Sequence, residues 1–220
     1  MSDDKSRKVL RELLREHGQT YAAEAGIRLR DTPQPLYRTL VLAHLLSARI
    51  RASVAVATSK ALYDAGLRDA KRMTESTWQQ RVDALGRGGY RRYDERTATQ
   101  LGDGGRLLLD RWGGDLRAMR AEADGDADAL RGFLRELPGV GPVGADIFLR
   151  EVQDVWPEFG PIVDAKALQG AERLGLPKGV ADLRRLAKRE GATPAELASA
   201  LVRAALDREI VEECRDRAAA

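Results

Sequence analysis

The stretch that decides the fold is Leu137-Pro138-Gly139-Val140-Gly141-Pro142-Val143-Gly144-Ala145. A helix should end at Leu137, because Pro138 and Gly139 do not continue a helix well. A second helix should begin near Pro142, since proline is favoured in a first helical turn. The N–H groups at that start would be able to bind a phosphate oxygen. The sequence therefore predicts a helix-hairpin-helix that could hold a nucleic acid backbone; a plain connection with small packing residues is the alternative.

The rest of the chain shows helical periodicity and no sustained strand-like alternation. Apolar residues recur at steps of three and four between Val9 and His17, which is typical of a helix. Residues 53–65 and 94–112 are also predicted to be helical. The helix predicted over residues 36–47 is apolar on most of its circumference, so it should lie at the centre of the fold. A capping box at Thr193 and Glu196 predicts a further helix, expected to extend to about Val211. We therefore predict an all-α fold of roughly ten helices.

The organisation expected for the 220 residues is a single two-lobed helical unit. A central helical lobe would cover residues 36–128, and the hairpin with its following segment would cover 129–174. Residues 1–35 together with 175–220 would form a second lobe. No repeat of 20–50 residues is visible, which excludes a solenoid.

The composition limits the partners, the metal sites and the location that can be expected. The chain has 37 basic and 34 acidic residues, a net charge of +3, so nucleic acid binding is permitted but not indicated by charge alone. The single Cys214 excludes an internal disulfide and a cysteine-ligated cluster, and with only His17 and His44 a metal site is not expected. With no apolar stretch for a membrane and no signal peptide, a cytoplasmic protein is predicted, nucleoid-associated if bacterial.

Asp164 follows Val143 by 21 residues, within Pro161-Ile162-Val163-Asp164-Ala165-Lys166. It comes directly after two apolar residues and is expected to open a helix. From this local sequence alone, the favoured role is structural, because aspartate is a good N-cap residue.

The hairpin and the later Val-Asp pair together resemble the helix-hairpin-helix, Gly/Pro…Asp superfamily of base-excision DNA glycosylases, and the endonuclease III family in particular. Two other stretches are similar to that family: Leu40-Val41-Leu42-Ala43-His44-Leu45-Leu46-Ser47-Ala48-Arg49 and Tyr93-Asp94-Glu95-Arg96-Thr97-Ala98. The resemblance spans about residues 36–174. It implies a DNA-binding cleft between two helical lobes, into which the target nucleotide of double-stranded DNA is flipped.

The resemblance also assigns roles to residues. Asp164 would be the catalytic carboxylate that stabilises positive charge on the sugar. The carbonyl groups of Leu137 and Val140 would help to hold a monovalent cation at the hairpin. The hairpin residues expected to contact DNA are Leu137, Gly139, Val140, Gly141, Val143 and Gly144.

Two further contacts with DNA are expected from arginines. Arg49 stands where the family has a wedge glutamine that fills the gap left by the flipped base, and guanidinium can stack in that way; a solvated charge at a helix end is the alternative. Arg91 and Arg92 lie in the basic segment 87–96, with tyrosines interleaved. They could approach the duplex, or the segment could be an exposed loop.

The chain departs from the family at two chemical positions. Val143 stands where bifunctional members have a lysine nucleophile, and valine cannot form a Schiff base. Lys166 is not expected to replace it, because a spacing of two on a helix should point it away from Asp164. The four-cysteine iron–sulfur motif of many members is missing, so no cofactor is expected to be required.

The sequence thus predicts a monofunctional DNA glycosylase of base-excision repair, expected to act as a monomer and without lyase activity. A mismatched or deaminated pyrimidine is the preferred substrate, with an alkylated base as the alternative. A non-catalytic DNA-binding protein of the same fold, recognising distorted or damaged DNA, is a second hypothesis. A protein-interaction domain is a third.

Overall fold

A computed structural model describes residues 3–219 of the chain. These residues form fourteen α-helices and one short 3₁₀ helix, Pro157–Phe159, and contain no β-strand. The all-α prediction is confirmed. The first seven helices are α1 (Asp3–His17), α2 (Tyr21–Glu24), α3 (Pro33–Leu46), α4 (Ala52–Asp64), α5 (Ala70–Glu75), α6 (Trp78–Arg87) and α7 (Asp94–Trp112). The remaining seven are α8 (Leu116–Ala123), α9 (Ala127–Glu136), α10 (Pro142–Val152), α11 (Ala165–Leu174), α12 (Val180–Arg189), α13 (Pro194–Leu206) and α14 (Arg208–Ala219).

Helix α3 lies at the centre of the molecule. Most of its residues are buried, from Leu36 to Leu45, and it packs against α4, α8 and α10. The sequence predicted this position, because a helix that is apolar on most of its circumference must be covered on most sides. Its last turn and the turn that follows, residues 47–50, contact the hairpin.

The helix predicted to run from Thr193 to about Val211 is in fact two helices. The capping box at its start is present: the Thr193 hydroxyl accepts the Glu196 N–H and the Glu196 side chain accepts the Thr193 N–H. Helix α13 ends at Leu206 because Asp207 is extended, and the Asp207 carboxylate accepts the Glu209 N–H at the start of α14. Leu206 is thereby left 60% exposed at the end of α13.

Buried apolar side chains form two clusters. One combines α3 to α10 with the segment that follows α10, and includes Phe148 and Trp156. The other combines α1 and α2 with α11 to α14, and includes Leu10 and Leu201. Helix α11 packs closely on α13: a Cβ at Gly170 would stand 1.8 Å from the Leu201 carbonyl oxygen, so glycine is required there. Two lobes remain our interpretation of these clusters.

A buried carboxylate connects the hairpin helix α10 to the second cluster. The Glu151 carboxylate accepts the Ala22 N–H at 2.8 Å and the Ser199 hydroxyl at 3.2 Å. Burial raises the pKa of Glu151, and the neighbouring Arg150 and these hydrogen bonds oppose that shift. Glu151 therefore fixes the far half of α10 against α2 and α13.

No helix among residues 3–219 is both long enough and apolar enough to cross a bilayer.

Candidate active site and hairpin

The hairpin has the geometry that the sequence predicts. Helix α9 ends at Glu136 and α10 begins at Pro142, with Gly141 as its N-cap residue. Gly139 has a φ of +85°, and a Cβ there would stand 2.3 Å from Cε1 of His44. Only glycine fits at this turn, both for its backbone conformation and for its contact with α3. A Cβ at Gly141 would meet nothing within 4 Å, so that side of the turn is open.

The start of α10 is at the surface. The N–H groups of Val143 and Gly144 lie in the first helical turn, where no acceptor is available within the helix. Val143 is 61% exposed, whereas Gly144 is buried beside Ser47. These donors, with the positive end of the helix dipole, can bind an anion that approaches the open side of the hairpin.

The carbonyl groups of Leu137 and Val140 are the ones proposed to hold a cation. The Leu137 carbonyl accepts the Val140 N–H at 3.0 Å inside the turn. A carbonyl oxygen has two lone pairs, so one remains for a cation. The side chains of Leu137 and Val140 are buried, and neither can contact DNA as a side chain. The monovalent cation remains a prediction.

Asp164 lies at the N-terminus of α11 and is its N-cap, as the local sequence indicates. Its Oδ1 accepts the Ala167 N–H at 2.9 Å, and its Oδ2 accepts Nη1–H of Arg150 at 2.5 Å. The Asp164 side chain is 13% exposed and that of Arg150 is 3% exposed. The carboxylate is therefore held in place by a helix terminus and by a buried opposite charge.

A cavity of about 400 Å³ opens at this carboxylate, and we name it the Asp164 cavity. Its size is within the range of small-molecule sites, about 300–1,000 Å³. Apolar side chains make up most of its wall, and its polar groups are concentrated on α10 and α11. The lining residues are Tyr21, Leu46, Ala48, Ile50, Ala52, Val143, Asp146, Ile147, Arg150, Asp164, Ala165, Lys166, Val202 and Leu206.

Arg150 is the residue of this cavity that sequence reasoning missed. Val143, Ile147 and Arg150 are spaced at i, i+4 and i+7 on α10, so they share one face of the helix. That spacing is a signal that could have placed Arg150 beside the hairpin start. Its partner Asp164 could not be foreseen from it, because the contact depends on how α10 and α11 each pack against α13.

The expectation that Lys166 points away from Asp164 stays a prediction. Both residues line the Asp164 cavity. The helical spacing rule does not apply to this pair, because Asp164 is an N-cap with extended backbone, ψ 173°, and lies outside the helical turn. Lys166 is exposed and its ammonium donates to the Gln169 side chain at 2.8 Å. Val143 lines the same cavity.

A second, larger cavity of about 620 Å³ lies between the hairpin, the end of α3 and the start of α7, and we name it the arginine groove. Arg49, Arg96 and Arg135 line it, all three are exposed, and within residues 3–219 none of them pairs with a carboxylate. The full lining is His44, Ser47, Ala48, Arg49, Tyr90, Tyr93, Arg96, Thr97, Gln100, Arg135, Glu136, Leu137, Pro138, Gly139, Val140 and Gly141.

Arg91 and Arg92 are exposed in the loop between α6 and α7, but they are not among the lining residues of the arginine groove. The Arg92 guanidinium lies over the Tyr93 ring, 5.3 Å from its centroid. Tyr90 and Tyr93 of the same loop do line the groove. The structure thus places the two arginines beside the groove rather than in it.

His44 forms the floor where the arginine groove meets the hairpin. It is buried against Gly139, and burial lowers its pKa to about 4, with a hydrogen bond to Gln100 opposing the shift. His44 is therefore neutral near pH 7 and supports the turn without adding charge. No group of three or more His, Cys, Asp or Glu side chains in the described part of the chain is arranged to hold a metal ion.

Comparison with known proteins identifies a structural similarity but no sequence family. No family model and no curated protein matches the chain. The chain is similar to a solved structure of a trapped covalent intermediate of endonuclease III with DNA, an estranged-adenine complex. The TM-score is 0.45 at 19% identity, over 74% of this chain and 70% of that chain. Function must therefore be inferred from the residues of the hairpin and the two cavities.

Proposed function

We propose that this protein is a monofunctional DNA glycosylase, which flips a damaged or mismatched base out of double-stranded DNA and hydrolyses its N-glycosidic bond. One observation carries the proposal. The Asp164 carboxylate lines a cavity of about 400 Å³ whose wall also contains Val143, from the exposed first turn of α10. An anion-binding helix start and a fixed carboxylate thus border the same space.

The chemistry requires such a carboxylate. When the bond between the sugar C1′ and the base nitrogen breaks, positive charge develops on the sugar. A carboxylate that is already oriented stabilises this charge without reorganisation and can help to activate a water molecule. Asp164 is oriented by the Ala167 N–H and by Arg150. The apolar wall of the cavity suits the flat faces of a nucleobase.

The grip on DNA would come from both sides of the hairpin. The N–H groups of Val143 and Gly144 would bind a backbone phosphate, and the open side of Gly141 lets the phosphate approach. Arg49 would enter the gap left by the flipped base, while Arg91 and Arg92 would contact the backbone beside the arginine groove. A monovalent cation at Leu137 and Val140 would strengthen the same grip. We propose that the protein acts as a monomer.

The lyase step would be absent. Val143 lines the Asp164 cavity. By the sequence resemblance it stands where bifunctional glycosylases have a lysine, and valine cannot form a Schiff base with an abasic sugar. Lys166 also lines the cavity, so it is the one lysine that could contradict this part of the proposal. Borohydride trapping of the protein on abasic DNA tests the point: no covalent adduct is expected.

A non-catalytic DNA-binding protein is the second candidate, and one observation favours it. Both oxygens of the Asp164 carboxylate already accept hydrogen bonds, from Ala167 and from Arg150. A purely structural N-cap would have the same contacts. In this case the hairpin would bind distorted DNA and the cavity would hold an extruded base unchanged.

A panel of duplex oligonucleotides, each with one modified or mismatched base, separates the candidates. A glycosylase produces an alkali-labile site in at least one duplex. A non-catalytic binder shows salt-dependent affinity for the duplexes and no alkali-labile site in any of them. A protein that binds none of the duplexes at low salt contradicts both candidates and favours an interaction domain.

A further inference from the structure

The Arg150 guanidinium is buried with most of its hydrogen-bonding capacity unused. Within residues 3–219, its one acceptor is the Asp164 carboxylate, and its Nε is buried without a partner. A guanidinium carries five N–H donors, and a buried donor without an acceptor is costly. A ligand that brings an acceptor into the Asp164 cavity would therefore bind beside Arg150 favourably.

Arg150 and Asp164 place opposite charges side by side in one wall of the cavity. Breaking an N-glycosidic bond creates the same kind of dipole. The electron pair of the bond goes to the base nitrogen, which leaves positive charge on the sugar and negative charge on the base. A fixed pair of opposite charges beside the bond can stabilise both ends at once, if carboxylate faces sugar and guanidinium faces base.

We propose that Arg150 is a catalytic residue that donates hydrogen bonds to the departing base, and that the substrate is a pyrimidine with a carbonyl oxygen next to its glycosidic nitrogen. This rests on the glycosylase function proposed above. In the step, the C1′–N1 bond breaks and its electron pair moves to N1 and the 2-oxygen, where Arg150 stabilises it. Water adds to C1′, its proton goes to the released base, and no other reactant is needed.

The positive charge of Arg150 disfavours the other class of substrate, the alkylated purines. A cationic alkylated purine leaves as a neutral base, so it gains nothing from a guanidinium in the transition state. Its ground state is also repelled by a buried positive charge in a medium where charges are poorly screened. The Asp164 cavity should therefore process uracil-type bases in preference to 7-methylguanine.

Wild-type protein tests the substrate class directly. Single-turnover base release is measured on duplexes of one sequence that contain uracil, 5-fluorouracil or 7-methylguanine. Release of the two pyrimidines in preference to 7-methylguanine is expected. Release of 7-methylguanine in preference to both pyrimidines overturns the inference and leaves the glycosylase function standing. If no duplex in this set or in the wider panel loses a base, the glycosylase function itself fails, and the role of Arg150 with it.

Replacement of Arg150 tests the residue. Loss of one preorganised donor typically lowers a rate by about 10²–10³-fold, and we expect Arg150→Met to lose uracil release by that factor. The loss should be clearly smaller with 5-fluorouracil, whose more acidic N1 needs less help to leave. Arg150→Lys should recover part of the uracil rate. Equal losses for uracil and 5-fluorouracil would show that Arg150 only supports the fold or orients Asp164, and would overturn the inference.

Arg120→Met is the matched control. Arg120 is also ion-paired and is partly buried, with Asp31 and Glu158 as its partners, but it does not line the Asp164 cavity. The Arg120→Met variant should leave the ratio of uracil release to 5-fluorouracil release unchanged. Thermal melting and binding to a duplex with an abasic-site analogue show whether each variant is folded. If Arg150→Met does not fold, the wild-type substrate comparison still decides the inference.

Discussion

The two cavities on either side of the hairpin differ in how they handle charge. The Asp164 cavity is mostly apolar, and its central charges, Asp164 and Arg150, are buried and paired with each other. The arginine groove is polar, and its three exposed arginines have no carboxylate partner in the described part of the chain. Ala48 lines both cavities, so the two environments meet at the turn after α3.

This difference suits the two cavities to different tasks: the Asp164 cavity to a reaction and the arginine groove to DNA binding. A buried charge pair is fixed and poorly screened, so it can act on charge that develops in a reaction. Exposed arginines without partners are screened by salt and suit the phosphates of a polyanion. The glycine turn of the hairpin lies between the Asp164 cavity and the arginine groove, so mutations can disturb either one separately.

The largest effect on stability is expected from breaking the buried pair. Removing one partner of a buried ion pair typically costs about 3–5 kcal/mol, so Asp164→Ala should lower the free energy of unfolding by about that amount. Loss of the N-cap adds roughly 1 kcal/mol. Arg150→Met combined with Asp164→Ala should recover much of the loss. Urea unfolding of the wild type, Asp164→Ala and the double variant measures these free energies. A loss below about 1 kcal/mol in Asp164→Ala would mean that the pair is solvated rather than buried.

Two glycines of the hairpin should respond differently to replacement by alanine: one variant should lose stability and the other should lose DNA binding. Gly139→Ala places a side chain at φ +85° and against His44, and we expect a loss of about 2–4 kcal/mol in unfolding free energy. Gly141→Ala has space and an ordinary φ of −86°, so its loss should be within about 0.5 kcal/mol. Gly141→Ala should instead weaken DNA binding, because the new methyl group keeps a phosphate away from the turn. Equal unfolding losses for the two variants would contradict the turn geometry.

The pH dependence of stability should contain a contribution from His44. Its folded pKa of about 4 lies below the ordinary value of 6.5, so between these pH values the unfolded chain binds a proton that the folded chain does not. This contribution is complete above pH 6.5 and is lost as the pH falls towards 4, by at most about 3 kcal/mol. The difference between wild type and His44→Gln isolates it from the carboxylates. A difference that stays constant from pH 7 to 4 would contradict the burial of His44.

The smallest effects are expected in the arginine groove. Arg49→Ala, Arg96→Ala and Arg135→Ala should each weaken DNA binding similarly for all sequences and reduce the salt slope by about 1 for each phosphate that the variant no longer binds. Arg208→Ala is the control, because Arg208 is exposed on α14 and paired with Glu212. Binding titrations at several salt concentrations give the slope. An unchanged slope in all three variants would remove the groove from the DNA interface.

Local sequence rules predicted where helices start and end, but not which residues of distant helices come into contact. The end of α9 and the start of α10 follow from Pro138, Gly139 and Pro142, and the starts of α11 and α13 follow from capping residues. Each of these signals acts within about one helical turn, which is why they can be seen in the sequence.

The missing part of the site depends on contacts between distant elements. Arg150 meets Asp164 only because α10 and α11 both pack against α13, and Val202 and Leu206 of α13 line the same cavity. The apolar wall combines residues from Tyr21 to Leu206. No local period encodes such a set, so the cavity could be proposed from the sequence only as a carboxylate at a helix start.

The most direct measurement is single-turnover base release by Asp164→Asn on a duplex that the wild type processes. Asparagine is also a good N-cap, so this variant removes the charge and keeps the cap. Asp69→Asn is the matched control, since Asp69 is the N-cap of α5 and does not line the cavity. We predict loss of release by at least about 10³-fold, with binding to an abasic-site analogue retained, while Asp69→Asn keeps the wild-type rate. Release at the wild-type rate by folded Asp164→Asn would contradict the catalytic role of this carboxylate.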